Sequence, residues 1–141
     1  MTDNEIGLKI HILSRKIKRN MNLVLHKYSL TSVQGAILGY IYKKTKIGLV
    51  YARDIEKEFD MRRATTTGIL QLMEKQGLIE RKLENTDARL KSITLTQKAL
   101  KIQKEIEEEI KVSEEKLKKG LTSKEIENFT KILSKMSKNI N

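Results

Sequence analysis

The hydrophobic periodicity of this chain changes character once. On either side of residues 81–96 apolar residues recur at steps of three and four, as in helices that bury one face. Within RKLENTDARLKSITLT the period falls to two, with Lys91, Ile93 and Leu95 on one side and Leu90, Ser92 and Thr94 on the other. The intervening Asn85-Thr86-Asp87 is turn chemistry, because Asn and Asp side chains bond their own backbone in tight turns. A mostly α chain with one small β-hairpin is predicted.

The helical stretches can be placed one by one. Ile6, Ile10, Leu13, Ile17, Met21, Val24 and Tyr28 form a continuous stripe, predicting a long first helix over residues 5–28. In LTSVQ, Thr31 can cap a second helix while Gln34 reaches back, with Val33, Ile37 and Ile41 inward. A short helix over roughly Ala52 to Phe59 follows, then a tight turn at Asp60. In MRRATTTGILQLMEKQGLI the inward face is predicted as Thr65, Ile69, Leu72 and Met73, with Gly77 as the left-handed terminus. Arg62, Arg63, Thr66, Thr67 and Gln71 then fall on the opposite, solvent face.

After the hairpin, Thr96 opens a long helix striped by Ala99, Ile102, Ile106, Ile110 and Leu117 and closed at Gly120. Thr122 and Glu125 form a second capping box, Leu121 can staple on Ile126, and a last stripe runs Ile126, Phe129, Leu133, Met136, Ile140. At 141 residues, without a repeat or low-complexity linker, residues 1–141 read as a single domain. The terminal stripes exceed what one small core covers. Residues 1–28 and 97–141 are therefore predicted to be dimerisation helices around a lobe at 31–96, the alternative being an intramolecular three-helix cluster.

Charge narrows the partner. The net charge is +11 and the pI near 9.8, which favours a polyanion, nucleic acid or an anionic membrane face, over a merely lysine-coated surface. Residues 47–96 carry 9 Lys+Arg against 8 Asp+Glu, so a nucleic-acid contact there must come from local placement. With no Cys and two His, disulfides, thiol nucleophiles and multi-histidine metal sites are not expected. Neither a signal-peptide core nor a membrane span is evident, so a cytoplasmic protein without membrane contact is expected. Catalysis is not expected either, for there is no nucleophile–base pair, phosphate loop or metal-ligand spacing, and no cofactor is implied.

Two helices joined at Asp60, the second Arg- and Thr-rich on its outer face, followed by a hairpin, spell a winged helix-turn-helix. Such a second helix enters the major groove. Its candidate contacts are Arg62, Arg63, Ala64, Thr66, Thr67 and Gln71, with Arg63 on a guanine edge, Gln71 on an adenine and Arg62 on phosphate. Ser32 is assigned to the DNA backbone. Arg89 at the hairpin tip is predicted in the adjacent minor groove, oriented by Asp87, with Lys91 beside them. The plainer alternative for Asp87 and Arg89 is an exposed ion pair.

These features, namely LTSVQGAIL, DIEKEFDMRRATTTGILQLMEKQGLIER, the Asp87/Arg89 pair and LTQKAL, resemble the MarR (multiple antibiotic resistance regulator) family of winged helix-turn-helix transcription regulators. The resemblance spans essentially the whole chain. It implies an obligate homodimer built by the terminal helices, binding a double-stranded, pseudopalindromic operator as a repressor. It also implies release by a small anionic or phenolic effector held between the dimer helices and the DNA-binding lobe. Tyr28, Tyr40 and Tyr51 are candidates for that pocket, with core packing as the alternative. The competing readings are an activator or a winged-helix dimer that binds protein. Two positions depart from the family pattern: Arg62 stands where a capping Ser or Thr is usual, and Asp60 where Gly often closes the turn, so Asp60 is the candidate substitute cap.

Overall fold

In the computed structural model, which describes residues 5–84 and 90–140, the element order is α1 Ile6–Lys27, α2 Ser32–Lys44, α3 Ala52–Glu58, α4 Arg63–Lys75, β1 Ile79–Leu83, β2 Lys91–Leu95, α5 Gln97–Lys118 and α6 Ser123–Ile140. The mostly helical fold with one two-stranded hairpin is the winged-helix arrangement that the periodicities predicted. The chain forms two compact units, Met1–Glu107 and Glu108–Asn141.

In the first unit α2 is the central post. Its start is set by the predicted capping box: Gln34 N donates to Thr31 Oγ1 and Thr31 N donates to Gln34 Oε1, both at 3.1 Å. Its inward face is Gln34, Ile37, Leu38 and Ile41. Val33, expected inward, is instead 42% exposed. The buried row runs at steps of three, one and three from Gln34, and Val33 sits one residue, about 100°, off it. Helix α1 approaches α2 closely at Gly35, where an added Cβ would lie 2.6 Å from Leu25 Cδ2.

Helix α3 closes through Asp60, whose φ of 49° is in the left-handed region, with Met61 N donating to Glu56 O at 2.9 Å. Asp adopts that region at modest cost, which explains its use where Gly is the common choice. The chain then enters α4, whose buried face is Thr66, Leu70 and Met73, with Ile69 partly covered. This corrects two expectations. Thr66 is fully buried instead of facing solvent, while Thr65 is exposed and Leu72 is 49% exposed. The stripe that packs is 66-70-73, where Leu70 and Met73 both reach the core; Thr66 is carried in with them, and its hydroxyl finds no partner among the described residues. Gly77, at φ +73°, ends α4, and Leu78 N donates to Met73 O.

The hairpin follows at once, antiparallel, with Ile79 opposite Leu95 and Leu83 opposite Lys91. Ile79 and Ile93 face the core, and Ile93 N donates to Val50 O at 2.7 Å, tying the ribbon to the α2–α3 connection. Ser92, on the other side of the strand from Ile93, is also buried; its hydroxyl donates to the Glu84 carboxylate. Thr96 locks the exit: Oγ1 donates to Gly77 O at 2.6 Å and accepts from Ala99 N, capping α5.

In the second unit Gly120 takes φ +83° and the Thr122–Glu125 box opens α6 as predicted. No residue of α6 is buried, and Phe129 of its apolar stripe is 55% exposed. The first half of α1 likewise leaves Ile6, Ile10, Leu13 and Ile17 exposed.

Two substitutions test this packing. Gly35→Ala should destabilise by up to about 2 kcal/mol, because crowding against the end of the buried Leu25 side chain, about 1–3 kcal/mol, outweighs the roughly 1 kcal/mol that alanine gains over glycine within a helix. Thr66→Val should stabilise by on the order of 1 kcal/mol, since an unpaired buried hydroxyl is replaced by a methyl of the same shape. Urea unfolding at equilibrium measures both.

Candidate nucleic-acid interface

Because Thr66, Leu70 and Met73 point inward, Arg62, Arg63, Ala64, Thr65, Thr67, Gly68 and Gln71 stay exposed along α4. No carboxylate lies between Arg62 and Met73. Ala64 and Gly68, four residues apart, keep the strip shallow, and nothing lies within 4 Å of where a Gly68 Cβ would be. The strip is cationic at its N-terminal end and flanked by hydroxyl and carboxamide groups. A groove lined by phosphates and base edges matches that chemistry. Of the residues placed here from sequence, Thr66 alone is withdrawn. Thr65 and Gly68 join the exposed strip, as a stripe centred on Leu70 requires.

Arg62 is the N-cap of α4 and its side chain makes no capping bond; nor does a cap from Asp60 appear among the hydrogen bonds of the described residues. Asp60 serves the turn alone. Among the described residues the first-turn amides of α4 thus have no capping side chain, a favourable place for an anion. Ser32 is the first residue of α2 and exposed, beside its own capped N-terminus. On the ribbon, Lys91 is exposed at the outer end of β2, and Arg81 of β1 approaches Glu74 of α4 at 3.9 Å. Asp87 and Arg89 lie outside the described residues.

The three tyrosines sit in different surroundings among the described residues. Tyr28 lines a cleft of about 260 Å³ with Ser29, Leu30, Gln76, Leu78, Lys98 and Ile102. Tyr40 instead packs edge-on against Phe59, centroids 5.8 Å apart, with Lys44 over its ring. Burial, then the nearby Asp54 and Glu58 carboxylates, pushes the Tyr40 phenol above its ordinary pKa, so it stays protonated. Tyr51 precedes α3, where its backbone N–H donates to Asp54 Oδ2 at 2.8 Å and Arg53 stacks on its ring. Of the three, Tyr28 lines this cleft, while Tyr40 of α2 packs on Phe59 at the end of α3 and Tyr51 stands at the start of α3. His11 sits on an open, cationic face of α1 with Arg15, Lys18 and Arg19. Among the described residues no metal-ligating cluster occurs, and no helix is long and apolar enough to cross a membrane.

Comparison with known proteins agrees with this geometry. The MarR family model matches residues 28–90. An uncharacterized HTH-type transcriptional regulator, YwhA of Bacillus subtilis (strain 168), is 29% identical over 136 residues, covering 94% of this chain and 95% of that protein. The crystal structure of the transcription regulator MarR from Oenococcus oeni PSU-1 is 31% identical over 95% of this chain and 99% of that one, with a TM-score of 0.67. A MepR–DNA complex from Staphylococcus aureus, 23% identical, shares the fold over 100% of both chains at a TM-score of 0.78. Sequence identity across nearly the full length of a MarR, and a winged helix-turn-helix at the centre of the match, place this chain in the MarR family of transcription regulators.

Proposed function

We propose that this regulator acts as a cytoplasmic homodimer that represses transcription from a pseudopalindromic operator and leaves it when a small anionic or phenolic ligand binds. The observation that carries the DNA half of this reading is the bare α4 strip, with two arginines and no carboxylate, backed by a fully buried stripe that fixes which side faces out. Arg63 and Gln71 are assigned to base edges, with Ala64 and Thr67 in apolar contact, and Arg62 to phosphate. Ser32 at the α2 N-terminus takes a second phosphate. Lys91 and Arg89 serve the flanking groove, with Asp87 as the orienting carboxylate of Arg89. That the fold of the DNA-bound MepR is shared over the whole chain supports this arrangement.

The dimer half rests on apolar surface. Ile6, Ile10, Leu13 and Ile17 on α1, and Phe129, Ile132 and Leu133 on α6, are exposed in one chain and spaced for helix–helix packing. Residues 1–28 and 97–141 are accordingly the dimerisation helices, and 31–96 the DNA-binding lobe. The ligand half rests on the cleft beside Tyr28, where Leu30, Leu78 and Ile102 offer apolar walls and Lys98 a cation.

The direct experiment is selection of bound fragments from random DNA by the purified protein. A two-fold symmetric motif is expected; failure to enrich one would favour a winged-helix dimer that binds protein. Phe129→Asp should give a monomer in sedimentation at low micromolar concentration and lose operator binding with it. Arg63→Ala should cost about 1–3 kcal/mol on the selected site and flatten preference at one base pair. Arg62→Ala should weaken all sequences alike and reduce the salt slope by about one. Arg89→Ala should weaken operator binding with an unchanged melting temperature, and Asp87→Ala should add little to it.

A further inference from the structure

The C-terminal end of α4 is tied to α2 and α5 by a short polar chain. Gln34, 4% exposed, has its Oε1 committed to the Thr31 amide, which fixes the orientation of its carboxamide and aims Nε2 outward. That Nε2 donates to Gln76 Oε1 at 3.1 Å. Gln76 is the C-cap of α4, and its main-chain carbonyl accepts from Lys98 Nζ at 2.9 Å. A cation at a helix C-terminus is favourably placed against the helix dipole. The capping box of one helix therefore grips the terminus of the next, with a lysine of a third closing the grip.

We infer that Gln34, Gln76 and Lys98 are positioning residues for DNA reading: a clasp that sets the tilt of α4 on α2 and thereby where Arg63 and Gln71 fall on the base edges. The inference rests on α4 being the helix that reads DNA. Leu70 and Met73 hold the middle of α4 by contacts that have no directional preference, so the core permits small rotations about it. Hydrogen bonds at one end remove that freedom. From Leu70, at the centre of that rotation, to Arg63 the helix is about 10 Å long, so a tilt of about six degrees displaces the reading end by roughly 1 Å. Bidentate base contacts do not survive such a shift, whereas phosphate contacts by long side chains do. Loss of the clasp should thus lower specificity more than affinity. The cleft is lined by Gln76 and Lys98, so a ligand seated there works on the clasp itself.

The test compares affinity for the selected operator with affinity for random DNA at fixed salt, with thermal melts beside it. Gln76→Leu should lower the ratio roughly threefold to tenfold, the range for one neutral hydrogen bond, with little change on random DNA. Gln34→Glu keeps the acceptor for Thr31, and the Gln76 carboxamide can turn to donate to it; Gln76→Glu keeps an acceptor for Gln34. Each of these should stay near wild type. Combined, they set two carboxylates face to face, and the ratio should fall at least as far as in Gln76→Leu. Lys98→Met should lower it and Lys98→Arg restore it. An unchanged ratio in Gln76→Leu, or a double variant equal to its two parents, would overturn the clasp. A wild-type protein with no operator preference would instead overturn the reading of α4 on which the clasp stands.

Discussion

Everything in the DNA-binding lobe depends on the burial of one stripe. Thr66, Leu70 and Met73 sink into the core formed with Ile37, Ile41, Ile55, Ile79 and Ile93, and that contact decides the rotation of α4 about its own axis. At two to three kcal/mol for each large apolar side chain removed from water, roughly, no exposed ion pair competes with it. Once the stripe is fixed, the opposite strip is fixed too. The helix presents arginine, threonine, glycine and glutamine to the outside because Leu70 and Met73 are claimed by the inside.

Much of this was legible in the sequence where the signal was local. Both Thr-based capping boxes, the left-handed positions at Asp60, Gly77 and Gly120, and the single period-two stretch all mark their places within a few residues, because each reflects hydrogen bonding or backbone sterics near in sequence. What misled was rotation about a helix axis. In α4 the sets 65-69-72 and 66-70-73 differ by one residue, and each contains two large apolar side chains, so periodicity alone does not choose between them. Tertiary packing chose the second and buried an unpaired threonine. Val33 exchanged places with Gln34 for a related reason: a carboxamide already bonded to its own backbone is cheap to bury, and hydropathy does not register that bond. Ser92 follows the same logic through Glu84. The Gln34–Gln76 bond, spanning 42 positions, carried no sequence signal at all.

The terminal helices pose the complementary problem. Their periodicity was plain, yet in one chain the first half of α1 and much of the stripe of α6 leave large apolar residues exposed. In the proposed dimer a second copy covers that surface, and the pairing sets two recognition helices at a fixed spacing. Under that proposal the stripe in α4 decides which side chains face the DNA, and the stripes in α1 and α6 decide how many copies of that face the operator meets.

Hydroxyl-radical footprinting of the protein on its selected DNA tests that argument most directly. Two recognition helices carried by one dimer should protect two equivalent patches on one side of the duplex, related by a two-fold axis and about one helical turn apart. A single unpaired patch, or protection without symmetry, would contradict it.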